Sequence, residues 1–155
     1  MNFMIHLLFL LTSQLRISYL KLKGITIGKD TYISPKAYID AHKGAKVFIG
    51  ENCYITRNVV ILSHTDTYRG GPAGLWIEKG AGRISKDVVF GNNVFIGVNS
   101  VILPGVTIGD NAVIGALSLV DKDIPANTVW AGIPAKQIST LEEMIKKEFP
   151  NFEFK

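Results

Sequence analysis

From Ile84 to Val120 an aliphatic or aromatic residue returns every six positions: Ile84, Phe90, Ile96, Ile102, Ile108, Ile114 and Val120. Four places after each stands Val88, Val94, Ser100, Val106, Ala112, Ser118 or Ile124, mostly small, and glycine often follows the apolar position directly, at Gly91, Gly97, Gly109 and Gly115. An α-helix cannot use this spacing. At about 100° per residue a six-residue step turns about 240° and scatters the isoleucines around the cylinder. A strand can use it, because six is even and a period-two chain keeps the same side chains on the same face. At ~3.3 Å per residue a hexad spans ~20 Å, room for one short strand and a corner. Stacking such units sets isoleucine over isoleucine in one core, as parallel β-helices do with hexapeptide repeats. Burial of each branched side chain then contributes about 1.5–3 kcal/mol.

The period first appears at Ile27, Ile33 and Ile39, stalls over Asp40–Lys46, and resumes in a new frame at Ile49, Ile55 and Ile61. At three strands per turn, the runs make about four coils. Between Ile61 and Ile84 the period fails. Gly70, Gly71, Pro72, Gly74, Gly80 and Gly82 predict a projecting loop there, over residues 65–83. Trp76 within it is costly to leave in solvent and is expected to cover a site or a neighbouring subunit. Past Val120, Pro125 and Pro134 are expected to stop further strands. Ser139 and Glu142 have capping-box spacing, and Leu141, Met144, Ile145 and Phe149 give the helix that follows one apolar face. Three segments result: an N-terminal helical segment over 1–23, the β-helix over 24–138, and a C-terminal helix and tail over 139–155.

With 155 residues and 47% hydrophobic content the chain can build one good core. A net charge of +4 without a basic run longer than Lys146–Lys147 fits an anionic ligand and excludes the clustered stripe that nucleic acid requires. The single cysteine, Cys53, cannot pair internally and fits a reducing, cytoplasmic setting. It falls in a small-residue slot of a hexad, which predicts packing rather than catalysis. The apolar stretch Phe3–Leu11 is too short to span a bilayer and has neither the basic flank nor the small-residue cleavage site of a secretory signal. It is expected to form a helix over the open end of the stack. The alternative is an interfacial helix touching a membrane surface through Arg16, Lys21 and Lys23.

The hexads from Gly91 to Lys136, GNNVFIGVNSVILPGVTIGDNAVIGALSLVDKDIPANTVWAGIPAK, resemble those of the hexapeptide-repeat acyltransferases, and the likeness extends from about Gly24. The resemblance implies an all-β, left-handed parallel β-helix, a homotrimer with sites between subunits, and acetyl-CoA as co-substrate with no metal. The left hand comes from this resemblance alone, since parallel crossovers in general are right-handed. Sugar and polysaccharide O-acetyltransferases of the family often carry a Ser-His-Thr segment before an excursion loop, here Ser63-His64-Thr65.

That likeness makes His64 the catalytic base. An alcohol attacking a thioester needs a base to take its proton, and histidine, largely neutral at pH 7, suits the task. Of the three histidines, His6 lies in the apolar N-terminal segment and His42 in a His-Lys-Gly corner, neither with a functional context. Asp66, Glu51 or a backbone carbonyl could orient the ring of His64. By the same resemblance Asn58 and Phe95 lie toward the acceptor, Val98 and Ala116 offer amides along the pantetheine arm, and Lys122 and Lys136 meet the CoA phosphates; Asp66 and Trp76, from their place in and beside the loop, are also expected on the acceptor side. The family often has tryptophan where Phe95 stands and glycine where Leu117 stands. Phe95 still gives an apolar wall, while Leu117 adds bulk beside the cofactor track.

The leading expectation is therefore O-acetylation of a sugar hydroxyl on a surface polysaccharide or its precursor. The competing readings are an N-acetyltransferase acting on a nucleotide-linked amino sugar and a non-catalytic β-helix scaffold. A zinc hydratase of similar architecture would need a cluster of histidine ligands that three scattered histidines do not supply.

Overall fold

The computed structural model describes residues 3–40, 44–66 and 83–150, without the side chains of 3–11, 66, 83 and 84. After helix α1 (Phe3–Leu22) come β1 (Thr26–Ile27), β2 (Tyr32–Ile33) and β3 (Tyr38–Ile39), then β4 (Val47–Ile49), β5 (Tyr54–Ile55) and β6 (Val60–Ile61). An arm follows, with stem strands β7 (His64–Asp66) and β8 (Arg83–Ser85). Two more triplets complete the regular part: β9 (Val88–Phe90), β10 (Phe95–Ile96) and β11 (Val101–Ile102), then β12 (Thr107–Ile108), β13 (Val113–Ile114) and β14 (Leu119–Val120). The chain closes with β15 (Thr128–Ala131), β16 (Lys136–Thr140) and helix α2 (Leu141–Glu148).

Successive strands visit three parallel sheets in rotation. The first sheet runs β1-β4-β9-β12, the second β2-β5-β10-β13-β15 with β16 antiparallel at its end, and the third β3-β6-β11-β14. Ile33, Ile55, Ile96 and Ile114 lie in register up the second sheet, each with 0% exposure, so the six-residue period does become a column of stacked isoleucines. Because side chains alternate inward and outward, the smaller residue two places before each isoleucine also faces in, as Val59 does before Ile61 and Val94 before Ile96, and the two together fill the interior.

The corner from the first sheet to the second shows how the coils are held apart at a fixed pitch. Asn52, Asn93, Asn111 and Asn127 all adopt left-handed backbone there, and their side chains bond one above another at 2.8–2.9 Å. Asparagine tolerates this conformation better than most residues. Gly50 at the same corner is obligatory for another reason: a Cβ there would stand 2.3 Å from the carbonyl oxygen of Gly91 in the next coil.

Four expectations need correction. Ile84 is not a coil residue, because it sits in β8 and pairs with Thr65 in the arm, so the long run enters the core only at Val88 and Phe90. Residue 65 and residue 83 are themselves strand positions in that stem. Strands continue beyond both prolines, since Pro125 stands just before the turn into β15 and Pro134 within the turn into β16, which leaves β15 to pair with β13 and β16 to return along β15. The capping box lies one residue later than its apparent spacing: Glu143 N–H donates to Thr140 Oγ1 at 3.2 Å and Thr140 N–H to Glu143 Oε2 at 2.9 Å.

α1 lies over the first coil. Leu20 is 2% exposed and joins the core, Ile17 packs against it, and Arg16 Nη2 donates to Ala37 O at 2.9 Å. No helix among the described residues is long and apolar enough to cross a membrane. At the other end α2 rests against β15 and β16, with Leu141 N–H bonded to Asn127 O at 2.9 Å and its apolar residues half-buried.

Candidate active site

The corner from the third sheet back to the first is the irregular one. Asp40 follows β3 directly, and its N–H donates to Ile61 O at 2.9 Å, which fixes it beneath the end of β6. Ser63 and His64 stand just beyond β6, in the next coil up. Ser63 is fully buried and its hydroxyl lies 3.3 Å from Asp40 Oδ2, and His64 Nδ1 is hydrogen-bonded to the same oxygen. The histidine side chain is 25% exposed and the aspartate 9%, so the carboxylate is enclosed while the ring reaches the surface. A carboxylate on Nδ1 selects the tautomer that carries its proton there, which makes Nε2 the proton-accepting nitrogen. The arm leaves the stack at this point and rejoins it where Lys86 N–H donates to Ser63 O at 3.0 Å.

Asp40 is the residue that reading the chain alone misses. The expected orienters stand elsewhere: Glu51 sits at the corner between the first two sheets, its N–H bonded to Asn92 Oδ1, and the backbone of Asp66 pairs with Arg83 in the arm. One signal was available. If Ile39 and Ile61 occupy equivalent places in consecutive coils, the residue after Ile39 must lie under the segment that leads to His64. Trp76 and His42 lie outside the described residues, as does the side chain of His6.

The other anticipated residues gather on a different edge. Asn58, Val98 and Ala116 all lie at the corner from the second sheet to the third, where Leu117 N–H donates to Val98 O at 2.9 Å and stacks one coil on the next. Asn58 has left-handed backbone and donates to Asn99 Oδ1 at 3.1 Å, which is the work of a corner asparagine. With Val98, Tyr32 and Tyr54 it lines a cleft of about 440 Å³. Val98 is 42% exposed, Ala116 is exposed, and neither backbone N–H donates to another described residue, so this edge offers amides to a thin ligand. Leu117 stands at φ 57°, the one aliphatic residue among the described side chains in that conformation, and its 62% exposure puts the side chain on the outside of the corner. Phe95 stacks on Tyr54 with ring centroids 6.0 Å apart, and Tyr54 meets Tyr32 at 4.7 Å, an aromatic column up the outer face of the second sheet. Lys122 holds its ammonium 5.8 Å from the centroid of the Trp130 ring, and Lys136 is exposed at the start of β16. Within one chain, then, the His64 corner and the Val98–Ala116 edge border opposite sides of the third sheet.

Cys53 is no alternative nucleophile. It is 1% exposed, burial pushes its thiol pKa up, and its sulfur rests 3.2 Å from Gly91 O.

Comparison with known proteins fits this geometry. Residues 87–122 match the model of the bacterial transferase hexapeptide (six repeats). The galactoside O-acetyltransferase of Escherichia coli K12 is 36% identical over 146 residues, which cover 84% of this chain and 71% of that protein. A crystal structure of galactoside acetyltransferase in complex with coenzyme A superposes with a TM-score of 0.60 at 33% identity, over 84% of this chain and 70% of the other. The hexapeptide-repeat acetyltransferase VCA0836 of Vibrio cholerae O1 biovar eltor, complexed with acetyl coenzyme A, gives a TM-score of 0.67 at 30% identity, over 76% of this chain and 60% of that one. With its stacked hexads, three parallel sheets and an acetyltransferase relative matched over most of both lengths, the chain belongs to the hexapeptide-repeat acyltransferases.

Proposed function

We propose that this protein transfers an acetyl group from acetyl-CoA to a sugar hydroxyl, with His64 as general base and Asp40 as its positioning residue. The observation that carries the proposal is the hydrogen bond from His64 Nδ1 to the enclosed Asp40 carboxylate at the corner where the repeat breaks. Acetyl-CoA supplies the activated thioester. Nε2 takes the proton of the acceptor hydroxyl as its oxygen bonds to the acyl carbon, the C–S bond breaks, and the same ring returns the proton to the departing thiolate. No covalent enzyme intermediate is needed. The imidazolium formed in the transition state is stabilised by the neighbouring carboxylate.

On this reading the coils wind left-handed and the site is shared between copies in a homotrimer. His64 of one copy faces Val98, Ala116 and Phe95 of the next, because a single chain sets them on opposite sides of its third sheet. Lys122 and Lys136 then lie toward the CoA phosphates. Acetyl-CoA use and a lone buried thiol support a cytoplasmic setting for this reaction. The acceptor belongs to a surface polysaccharide or its precursor.

The test is CoA release measured against a panel of sugars and sugar nucleotides, with wild type, His64→Ala and Ala116→Trp. Each variant is expected to lose activity about 10³-fold while keeping its assembly. Mixing the two after partial unfolding restores a fraction of the activity, since some interfaces then combine an intact His64 with an intact Ala116. Full activity in His64→Ala, or no recovery in the mixture, removes the shared-site reading.

A further inference from the structure

A second cleft, of about 260 Å³, opens between the C-terminal half of α1 and the first coil, and Asp40 lies in its wall. The cleft therefore adjoins the base through the residue that orients it. Arg16, Tyr19, Lys23 and Tyr38 line the rest of its polar surface. Arg16 Cζ and Lys23 Nζ each stand 5.7 Å from the centroid of the Tyr19 ring, so two cations share one aromatic wall. Tyr19 and Tyr38 are 49% and 57% exposed, which keeps the cleft open to solvent.

Two details give the cleft a sign. Arg16 is anchored by Nη2 on Ala37 O, yet its Nε is buried without a hydrogen-bond partner among the described residues. A guanidinium presents Nε and Nη donors as a planar fork matched to two oxygens of a carboxylate or phosphate, and an unused donor of that fork signals a missing acceptor. The only carboxylate among the described residues of the lining, Asp40, already accepts from His64 and Ser63 on Oδ2. Two cations thus face one carboxylate whose charge is directed toward the histidine.

We infer that the α1 cleft seats a negatively charged group of the acceptor, a carboxylate or a phosphate, and so selects acidic or phosphorylated sugars over neutral ones. The inference rests on His64 being the base. The anion lies on the α1 side, against Arg16 and Lys23, and the reacting hydroxyl points up toward the corner, away from Asp40. A neutral sugar leaves the Arg16 donor without a partner and forfeits the charge-assisted bonds.

Binding and turnover are measured separately, so that this inference and the proposed reaction fail independently. By calorimetry at low salt, galacturonate and glucose 1-phosphate are expected to bind more tightly than galactose, and the two anions reveal whether carboxylate or phosphate is preferred. The advantage shrinks as ionic strength rises. Arg16→Gln lowers the preference for the charged sugars about tenfold and Lys23→Gln about threefold, by the usual strength of charge-assisted bonds. Arg16→Lys restores part of it. Lys23 is exposed, so Lys23→Gln keeps the fold and reports the charge effect even where Arg16→Gln loosens α1. In turnover, both variants lower the ratio of kcat/KM for charged over neutral acceptors, mainly through KM. Equal binding of galactose and its charged counterparts, or a preference unchanged in Lys23→Gln and Arg16→Gln alike, overturns the inference, whatever His64→Ala does to CoA release. Anion binding that survives His64→Ala while turnover is absent from wild type supports the cleft and sinks the reaction.

Discussion

Two corners of the same coil, built from the same six-residue unit, do opposite things. At the corner between the first and second sheets each coil repeats the last in its left-handed backbone, with Asp30 in the first and then Asn52, Asn93, Asn111 and Asn127, the four asparagines bonded in one ladder. At the corner between the third sheet and the first no two coils agree. Asp40 occupies it in one coil, Ser63 and His64 in the next, and an arm departs there. Repetition permits a ladder in which each group satisfies its neighbours. Irregularity sets a histidine against a buried carboxylate and leaves its ring a surface to work on. The contrast predicts that substitutions at the His64 corner change rate at constant stability, while those at the asparagine corner change stability at constant rate.

The sharpest probe of that contrast is Asp40→Asn, which keeps the shape but can donate where the carboxylate only accepts, and so disturbs the tautomer of His64. A charge-assisted bond of about 1.5–3 kcal/mol corresponds to a fall in kcat of roughly 10- to 100-fold. Steady-state CoA release checks it, and an unchanged kcat removes Asp40 from the site. On the opposite side of the comparison, Asn93→Ala breaks the ladder in its middle and places alanine in left-handed backbone. It is expected to cost about 2 kcal/mol of stability, read by denaturant unfolding, with kcat unaltered.

Leu117 sharpens the comparison from within a third corner, the one between the second and third sheets. It holds left-handed backbone at φ 57° although leucine pays for that conformation, where the described neighbours in it use asparagine, aspartate or glycine. Leu117→Asn is expected to stabilise the chain by about 1 kcal/mol. If its KM for acetyl-CoA changes as well, the exposed side chain touches the ligand on that edge. The smallest effect concerns the end of the stack. The Glu143 carboxyl is held below the usual range, first by the Thr140 backbone N–H and then by the hydroxyls of Ser139 and Thr140. A carboxyl with a depressed folded pKa adds stability above its unfolded pKa and loses it as pH falls through the folded one. α2 should therefore fray on acidification below the ordinary carboxylate range, seen as loss of amide protection, and Glu143→Gln should flatten that response.

These outcomes also separate what the sequence could tell from what it could not. The column Ile33, Ile55, Ile96 and Ile114 was legible because it obeys a rule that every coil repeats. Ile84 misled for the same reason: it keeps the spacing by coincidence, and only strand pairing reveals that Thr65 rather than a coil lies beside it. His64 was legible through resemblance and through its place at the interruption. Asp40 was not, because it sits at the edge of a stalled segment, and the contact that gives it meaning arises only once one coil lies on another. The charged cleft is further removed still, since Arg16 lies on α1 and Lys23 in the turn just after it, both before the first hexad.

The antiparallel turn of β16 carries one more consequence. A parallel stack has no intrinsic length, for each finished coil offers the next chain, or the next molecule, a fresh row of amides and carbonyls on which to grow. By doubling back along β15, with Pro134 at the turn, β16 presents a strand of the wrong direction for another hexad to continue, while α1 covers the first coil. The second sheet is thereby closed at one end of the stack, and the first coil is covered at the other.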